Sequence, residues 1–287
     1  MALSQSEIMQ HPDLFRVVKL QSASMLSMRE DDPRLSAAFA TQQRWLMSHT
    51  GLALYFRGLN AGHASGLHIT RFLDAVVAAD IASRNTADAY IKEMIYYKYI
   101  QLLPSPADRR IRPLAPAPHA LATVDGWVRA HLYTLDRLAG GSRLSAYENA
   151  PNALQLVQPL ISDGLIAAHA VRNPERTFSL FTWLDNGGTI MDWLMASMED
   201  APLEAERVAV GPISTVEMAQ HLTLSRTHLA RKLREAENLG SLGWEGRRGH
   251  SIMWVSRGFR EEYASAQAIK LSIIDHAFEA MLGPASP

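Results

Sequence analysis

The segment from Ser225 to Arg260 carries the side chains whose types and spacing most clearly suggest a chemical role. It holds eight basic and three acidic residues, a local charge of +5, although the formal net charge of the whole chain is −1. Guanidinium groups bind phosphate oxygens and guanine edges, and hydroxyl groups hydrogen-bond to phosphates and bases. We therefore expect contact with double-stranded DNA, the alternative being a solvated charged face. The residues concerned are Ser225, Arg226, Thr227, His228, Arg231, Arg247 and Arg248.

An earlier segment, residues 83–112, shows a weaker version of the same pattern. Six basic and three acidic residues give it a charge of +3, and the acidic Asp88 and Glu93 lie where they would repel phosphate. A DNA contact and a purely structural role are both open here. The residues that could touch DNA are Ser83, Arg84, Asn85, Thr86, Arg109 and Arg110.

Two short helices are expected to position the later group. Ser214 and Glu217 form a capping-box pattern, which predicts a helix that runs to His221. After a brief turn, Ser225 is a suitable N-cap for a second helix. A helix, a short turn and a second helix with a polar outer face form the helix-turn-helix arrangement. The residues that the second helix should bury are Leu229, Leu233 and Ala236.

A β-hairpin is predicted after these helices. The runs 242–244 and 252–255 are β-prone, and Glu245–His250 between them places a glycine on each side of an arginine pair. The earlier segment predicts helices at Phe72–Ala79 and Ser83–Tyr97, followed by a hairpin with its tip at residues 108–112. Prolines flank that tip, so one of its arms should be irregular.

The two basic segments belong to a longer internal repeat. Ser83-Arg84 recurs as Ser225-Arg226 after 142 residues, and other landmark pairs recur at offsets of 139 to 142 residues. Such a period indicates two related units. We place these units at residues 1–143 and 144–287, with the helix-turn-helix and hairpin at about 69–115 and 213–256, and a linker at Arg143–Asn152.

Helices with apolar stripes are predicted outside the basic segments. Leu35–Phe56 and Thr177–Met198 show apolar residues at steps of three and four, and Gly187-Gly188 predicts a kink or a close approach. Tryptophans in the sequence could line an effector pocket, although aromatic residues at helical spacing more often belong to the core. The candidates for this pocket are Trp45, Trp127, Trp183 and Trp193.

Several classes of protein are disfavoured by what the sequence lacks. The absence of cysteine excludes disulfides, thiolate catalysis and cysteine-ligated metals. The eleven histidines are scattered without ligand spacing, and no phosphate-binding loop, dinucleotide fingerprint or nucleophile elbow occurs. We therefore expect no enzyme, no metal and no cofactor. The apolar stretches are too short to cross a bilayer, so we expect a cytoplasmic protein without membrane contact.

Each unit resembles a winged helix-turn-helix transcriptional regulator of the MarR family. The family's wing has an Asp-x-Arg motif, which Asp108 and Arg110 match, whereas the second wing lacks the aspartate and offers Arg247 or Arg248. The segments that carry the resemblance are Ser83–Thr86, Asp108–Arg110 with Leu114, Ser225–His228, Leu233–Gly240 and Trp254–Gly258.

This resemblance implies a fold, a function and partners. The fold would be mainly α with small β wings, in tandem winged helix-turn-helix repeats that long interface helices join about a pseudo-twofold axis. The function would be site-specific binding of double-stranded DNA in transcription regulation, with a small aromatic effector as a further ligand. The two halves would pair within the chain, and further homodimerisation is open. The alternative is a winged-helix scaffold that binds protein partners without specific DNA binding.

Overall fold

The part of the chain that the computed structural model describes is mainly helical. The described residues are 1–31, 41–104, 112–182, 187–212, 214–221 and 224–283. Their helices are α1 (Gln5–Gln10), α2 (Leu14–Asp31), α3 (Gln42–Asn60), α4 (Ile69–Ala78), α5 (Arg84–Tyr96), α6 (Pro118–Ala139), α7 (Arg143–Asn149), α8 (Ala153–Ala167), α9 (His169–Arg172), α10 (Arg176–Thr182), α11 (Gly187–Ser197), α12 (Thr215–His221), α13 (Arg226–Asn238) and α14 (Arg257–Leu282). The expectation of a mainly α fold with small sheets is confirmed.

Two small antiparallel sheets accompany the helices. In the first half, β1 (Ile100–Leu102) pairs with β2 (Leu114–Pro116). In the second half, β5 (Ile252–Ser256) lies between β3 (Arg207–Pro212) and β4 (Leu242–Trp244). The predicted hairpin of β4 and β5 is thus confirmed, whereas β3 was not predicted.

The second-half helices form where the capping and apolar patterns predict them. The backbone N–H of Glu217 donates to Ser214 Oγ at 3.3 Å, which satisfies one free donor at the start of α12. Ser225 has extended backbone geometry at the N-cap of α13, but its side chain makes no capping hydrogen bond. The residues of α13 predicted to be buried, Leu229, Leu233 and Ala236, are all fully buried.

The first half has the same order of short helices. Helix α4 starts at Ile69, earlier than predicted, and α5 is capped by Ser83 Oγ, which accepts from the Thr86 N–H at 3.2 Å. The segment before α4 lies against β2, because the Leu114 N–H donates to the Leu67 carbonyl at 2.9 Å. The predicted hairpin tip at residues 108–112 falls mostly outside the described residues.

The long helices of the two halves pack against each other reciprocally. Helix α3 packs on α8, and α11 packs on α2. Within each half, α2 packs on α6 and α8 packs on α14, while α6 and α14 contact each other. Replacing α2 by α8, α3 by α11 and α6 by α14, and the reverse, gives the same set of helix contacts. Two related halves would pack in this way, and the unit boundary at residue 143 stays a prediction.

The segment predicted to be a linker is a helix that is tied into the core. Tyr147 of α7 is buried, and Arg143 donates from Nε to Oδ1 of Asp275 at 2.7 Å. The Asp275 side chain is fully buried and also accepts from the Leu3 N–H at 2.8 Å. The segment joins α6 to α8 as a short helix and not as an open loop, because glycines and a proline can bound a helix as well as a loop.

The helix predicted at residues 177–198 is divided into α10 and α11. Gly187 begins α11, and a Cβ atom at this position would lie 1.6 Å from the carbonyl oxygen of Phe181. No side chain can be accommodated that close to a backbone oxygen. The predicted close approach at Gly187 is therefore confirmed, and residues 183–186 between the two helices lie outside the described residues.

Candidate nucleic-acid interface and central cavity

The first turn of α13 presents an exposed polar surface. Ser225, Arg226, Thr227 and His228 are all exposed, as is Arg231 one turn later. The apolar side of the helix is buried, so these side chains point away from the core. Helix N-termini carry partial positive charge and free N–H groups, both of which favour phosphate. The sequence prediction placed these residues together, and the structure brings them together.

The cations of this surface differ in how far they are already engaged. Arg231 lies 3.8 Å from Glu235, and Lys232 donates to the same carboxylate at 2.8 Å. These cations, the hydrogen bond from Lys232 first, lower the pKa of Glu235. Arg226, Arg234 and Arg247 form no ion pair or hydrogen bond through their guanidinium groups with any residue that the structure describes. These three exposed guanidinium groups are available to a phosphate.

One arginine of the second hairpin contacts α13. Arg248 forms an ion pair with Glu237 of α13, and its guanidinium group lies 5.7 Å from the ring centre of Trp244. Arg247 remains exposed at the tip, next to Gly246. The hairpin and the helix are thus held as one surface.

The corresponding surface in the first half is more nearly neutralised. Arg84 pairs with Asp74 at 2.7 Å, and Lys92 pairs with Asp88 at 2.6 Å. Glu93 accepts two hydrogen bonds from Arg44, at 2.7 and 3.1 Å. Ser83, Asn85 and Thr86 are exposed beside these pairs, while Arg109 and Arg110 lie outside the described residues. The charge pattern therefore favours the second half as the stronger anion-binding surface.

Two tryptophans of the predicted effector pocket, both from the first half, lie next to each other where this half contacts the second. The rings of Trp45 and Trp127 lie 6.1 Å apart, edge to face. Both line a cavity of about 150 Å³, called here the central cavity, and an adjoining one of about 190 Å³. Trp193 is half-buried against the core and lines neither cavity, and Trp183 falls outside the described residues.

The central cavity also contains polar and charged side chains from four helices. They are Gln21 of α2, His131 of α6, Asp192 of α11, and Tyr263, Gln267 and Lys270 of α14. Tyr263 donates its hydroxyl to Asp192 Oδ1 and is 2.9 Å from Ser22 Oγ. No pattern in the sequence analysis singled out this group.

The protonation of His131 follows from its partners. Its Nδ1 lies 2.8 Å from the carbonyl oxygen of Trp127, which can accept but not donate. Nδ1 therefore carries the proton, and Nε2 accepts from Gln21 Nε2 at 3.1 Å. Burial lowers the pKa of His131 to about 3, so the ring is neutral at physiological pH. Gln21 Oε1 is buried without a hydrogen-bond partner among the described residues.

Asp192 and Lys270 have shifted pKa values because both are partly buried in the lining of this cavity. Burial raises the pKa of Asp192 to about 6, against the opposing effects of Tyr263, Lys270 and Arg29. Burial lowers the pKa of Lys270, and attraction to Asp192 partly offsets this. Perturbed pairs of this kind in a cavity mark candidate functional sites. A sequence signal existed, since each is the one charged residue in an otherwise apolar stretch, 187–198 or 263–274.

The described residues contain neither a metal-binding cluster nor a membrane-spanning helix. Their His, Asp and Glu side chains form no group of three or more that could hold a metal ion. None of their helices combines the length and apolar character needed to span a membrane. No protein-family model matches the chain, and no match was found among curated proteins or solved structures.

Proposed function

We propose that this chain is a site-specific, double-stranded DNA-binding regulator of transcription in which two MarR-like winged helix-turn-helix units act as a single-chain pseudo-dimer. Helix α13 would enter the major groove and the β4–β5 hairpin would contact the backbone or minor groove. A small aromatic effector would bind in the central cavity between the halves. The proposal places DNA recognition mainly in the second half.

One observation carries the proposal furthest. The exposed first turn of α13 and the arginine-tipped hairpin form one surface, joined by the ion pair between Arg248 and Glu237. On that surface Arg226, Arg234 and Arg247 have no counter-charge among the described residues. Exposed cations that the protein does not neutralise itself are suited to phosphate, whose binding releases counterions from the duplex.

The order of elements in the second half supports the same function. A helix, a strand, two short helices and a hairpin follow one another as α11, β3, α12, α13 and β4–β5, and the three strands form one sheet. The second helix of a helix-turn-helix is the one that reads base edges. In this chain that helix is α13.

The alternative function is a scaffold that binds proteins. The first half favours it locally, because Arg84 and Lys92 are paired, and Tyr96 and Tyr97 are 79% and 56% exposed. Exposed tyrosines are frequent at protein interfaces. The two functions predict different partners for the purified chain.

Selection from a library of short genomic fragments separates these functions. The regulator is expected to enrich one sequence that it binds about 10³-fold or more tightly than a shuffled duplex of equal length. A chain with Arg226→Ala and Arg247→Ala is expected to retain little of the library, whereas the matched exposed change Arg57→Ala is neutral. Retention of no fragment even at low salt would overturn the regulator and leave the scaffold.

A further inference from the structure

The central cavity has the size and walls for one aromatic ring. Its volume is about 150 Å³, and Trp45, Trp127, Phe178 and Met191 contribute to its lining. An apolar cavity of about this volume accommodates a benzene molecule.

Lys270 places an amine in this cavity without a partner. No ion pair or hydrogen bond joins its ammonium group to any residue that the structure describes. The charged or titratable groups that face it are Asp192 from α11 and His131 from α6, while Arg29 of α2 lies beyond Asp192 and donates to Thr189 at 2.6 Å. Partial burial lowers the pKa of Lys270 against the opposing attraction of Asp192, so a larger fraction of this amine is in the neutral, nucleophilic form.

Asp192 adds a proton donor next to that amine. Its carboxyl group accepts from Tyr263 and lines the same cavity as Lys270. Burial raises the pKa of Asp192 to about 6, so a fraction of this group is protonated near neutral pH. Imine formation requires an amine and an acid, and Lys270 and Asp192 supply both from the lining of one cavity.

We propose that Lys270 captures a small aromatic aldehyde in the central cavity as a reversible imine. This inference rests on the effector part of the proposed function, because it takes the same cavity as the ligand site. It also specifies the ligand: a neutral carbonyl compound fits beside Asp192, whereas an aromatic carboxylate would bring a second negative charge to that side chain.

The reaction balances without an oxidant or reductant. The neutral Nζ attacks the carbonyl carbon, and a C–N bond forms while the π electrons of C=O move to oxygen, which takes a proton from Asp192. The nitrogen returns a proton to the carboxylate. Asp192 then protonates the hydroxyl group, which leaves as water while the nitrogen lone pair forms the C=N bond, and the iminium nitrogen returns this proton to the carboxylate. Amine and aldehyde therefore give imine and water, and hydrolysis reverses the reaction.

Reductive trapping tests the inference on the intact chain. Benzaldehyde and sodium cyanoborohydride are added at pH 7, and benzylated lysines are located by peptide mass spectrometry. The chain has five lysines, and Lys19, Lys92, Lys98 and Lys232 serve as internal references. Because burial lowers the pKa of Lys270, a larger fraction of this amine is neutral at pH 7. We expect Lys270 to be benzylated several-fold faster than the exposed Lys92, and more slowly after Asp192→Asn.

Two variants keep the test decisive. Lys270→Arg preserves the positive charge but cannot form an imine, so it is expected to remain folded by circular dichroism and to lose the label. Lys92→Arg, the matched control, is expected to keep the label on Lys270. Equal benzylation of all lysines would overturn the inference, as would tighter binding of benzoate than of benzaldehyde. Trapping is measured without DNA, so its outcome and that of the DNA selection are independent.

Discussion

Adjacent arginines at the tip of the second hairpin have different surroundings. Arg248 is paired with Glu237 and lies over the Trp244 ring, whereas Arg247 is exposed and makes no guanidinium contact with the described residues. To bind a phosphate, Arg248 has to give up an existing partner, and Arg247 does not. The two side chains should therefore contribute unequally to DNA affinity, although the sequence alone gives no reason to distinguish them.

The first prediction compares these two arginines. Arg247→Ala is expected to weaken duplex binding more than Arg248→Ala does, and to reduce the slope of log affinity against log salt by about 1. Fluorescence anisotropy with a labelled duplex measures both quantities. Arg57→Ala, which removes an exposed ion pair with Asp163, is the control. A larger loss for Arg248→Ala would contradict the difference in pairing described here.

The second prediction concerns the buried histidines. Burial lowers the pKa of His49 and of His131 from 6.5 to about 3, so between these values the unfolded chain binds two protons that the folded chain does not. Asp192 acts in the opposite direction between 3.8 and about 6, because burial raises its pKa. The net uptake of one proton on unfolding lowers the free energy of unfolding by about 1.4 kcal/mol per pH unit as the pH falls from 6 to 4.

Urea unfolding at several pH values checks this sign. The variant His131→Gln is expected to lose most of the pH dependence, because the remaining histidine and Asp192 then nearly cancel. The exposed His63→Gln should retain it. Identical pH slopes for the original chain and His131→Gln would show that His131 is not held neutral by burial.

At the scale of elements, the contact between helix α3 and the loop that follows it depends on the absence of a side chain. Gly58 in α3 lies against the backbone of residues 65 and 66, and a Cβ atom there would be 1.8 Å from the Gly66 nitrogen. In an ordinary helix, replacing glycine by alanine stabilises by about 1 kcal/mol. Here the backbone of the following segment would have to move, so packing opposes propensity.

The third prediction is therefore that a glycine-to-alanine change in this helix lowers stability, although such a change usually raises it. Gly58→Ala is expected to destabilise the protein by about 1–3 kcal/mol, the typical cost of overpacking. Gly258→Ala, in the first turn of α14 with no close neighbour nearer than 3.9 Å, is expected to be neutral or slightly stabilising. Chemical denaturation of both variants provides the measurement. Stabilisation by Gly58→Ala would mean that α3 and the backbone of residues 65 and 66 are farther apart than described.

How much could be predicted from sequence also differs between elements. Capping residues and apolar spacing predicted α13 and its buried face closely, since local signals dominate there. Strand β3 was missed, because its alternating Val208 and Val210 follow an acidic loop and the strand is defined by pairing with β5. The central cavity could not be predicted, because Gln21, Asp192 and Lys270 come together through the packing of distant helices.

At the scale of the whole molecule, one buried carboxylate connects residues near both ends of the chain with a residue at its middle. Asp275 near the C-terminus binds Arg143 between the halves and the backbone of Leu3 near the N-terminus. Reciprocal packing of α3 on α8 and of α11 on α2 also crosses between the halves. Neither half keeps its packing partners alone, so the halves should unfold together.

The fourth prediction tests this coupling. Asp275→Ala is expected to lower the free energy of unfolding by about 1.5–3 kcal/mol, because Arg143 and the Leu3 N–H lose hydrogen bonds to a buried carboxylate while Arg143 keeps Asp136 at 3.4 Å. Asp163→Ala removes one partner of the exposed pair with Arg57 and should cost less than about 1 kcal/mol. Urea denaturation should show one transition for both variants. Two separate transitions, or equal losses, would argue against a single interlocked core.

We propose above all that α13 and the second hairpin bind duplex DNA through arginines that have no partner among the described residues. Its most direct test is the salt dependence of binding to a selected duplex, for the original chain and for two double variants. Arg226→Ala with Arg247→Ala is expected to reduce the slope by about 2, and Arg84→Ala with Arg110→Ala by less. Absence of binding at low salt, or a slope that the second-half pair leaves unchanged, would contradict the account.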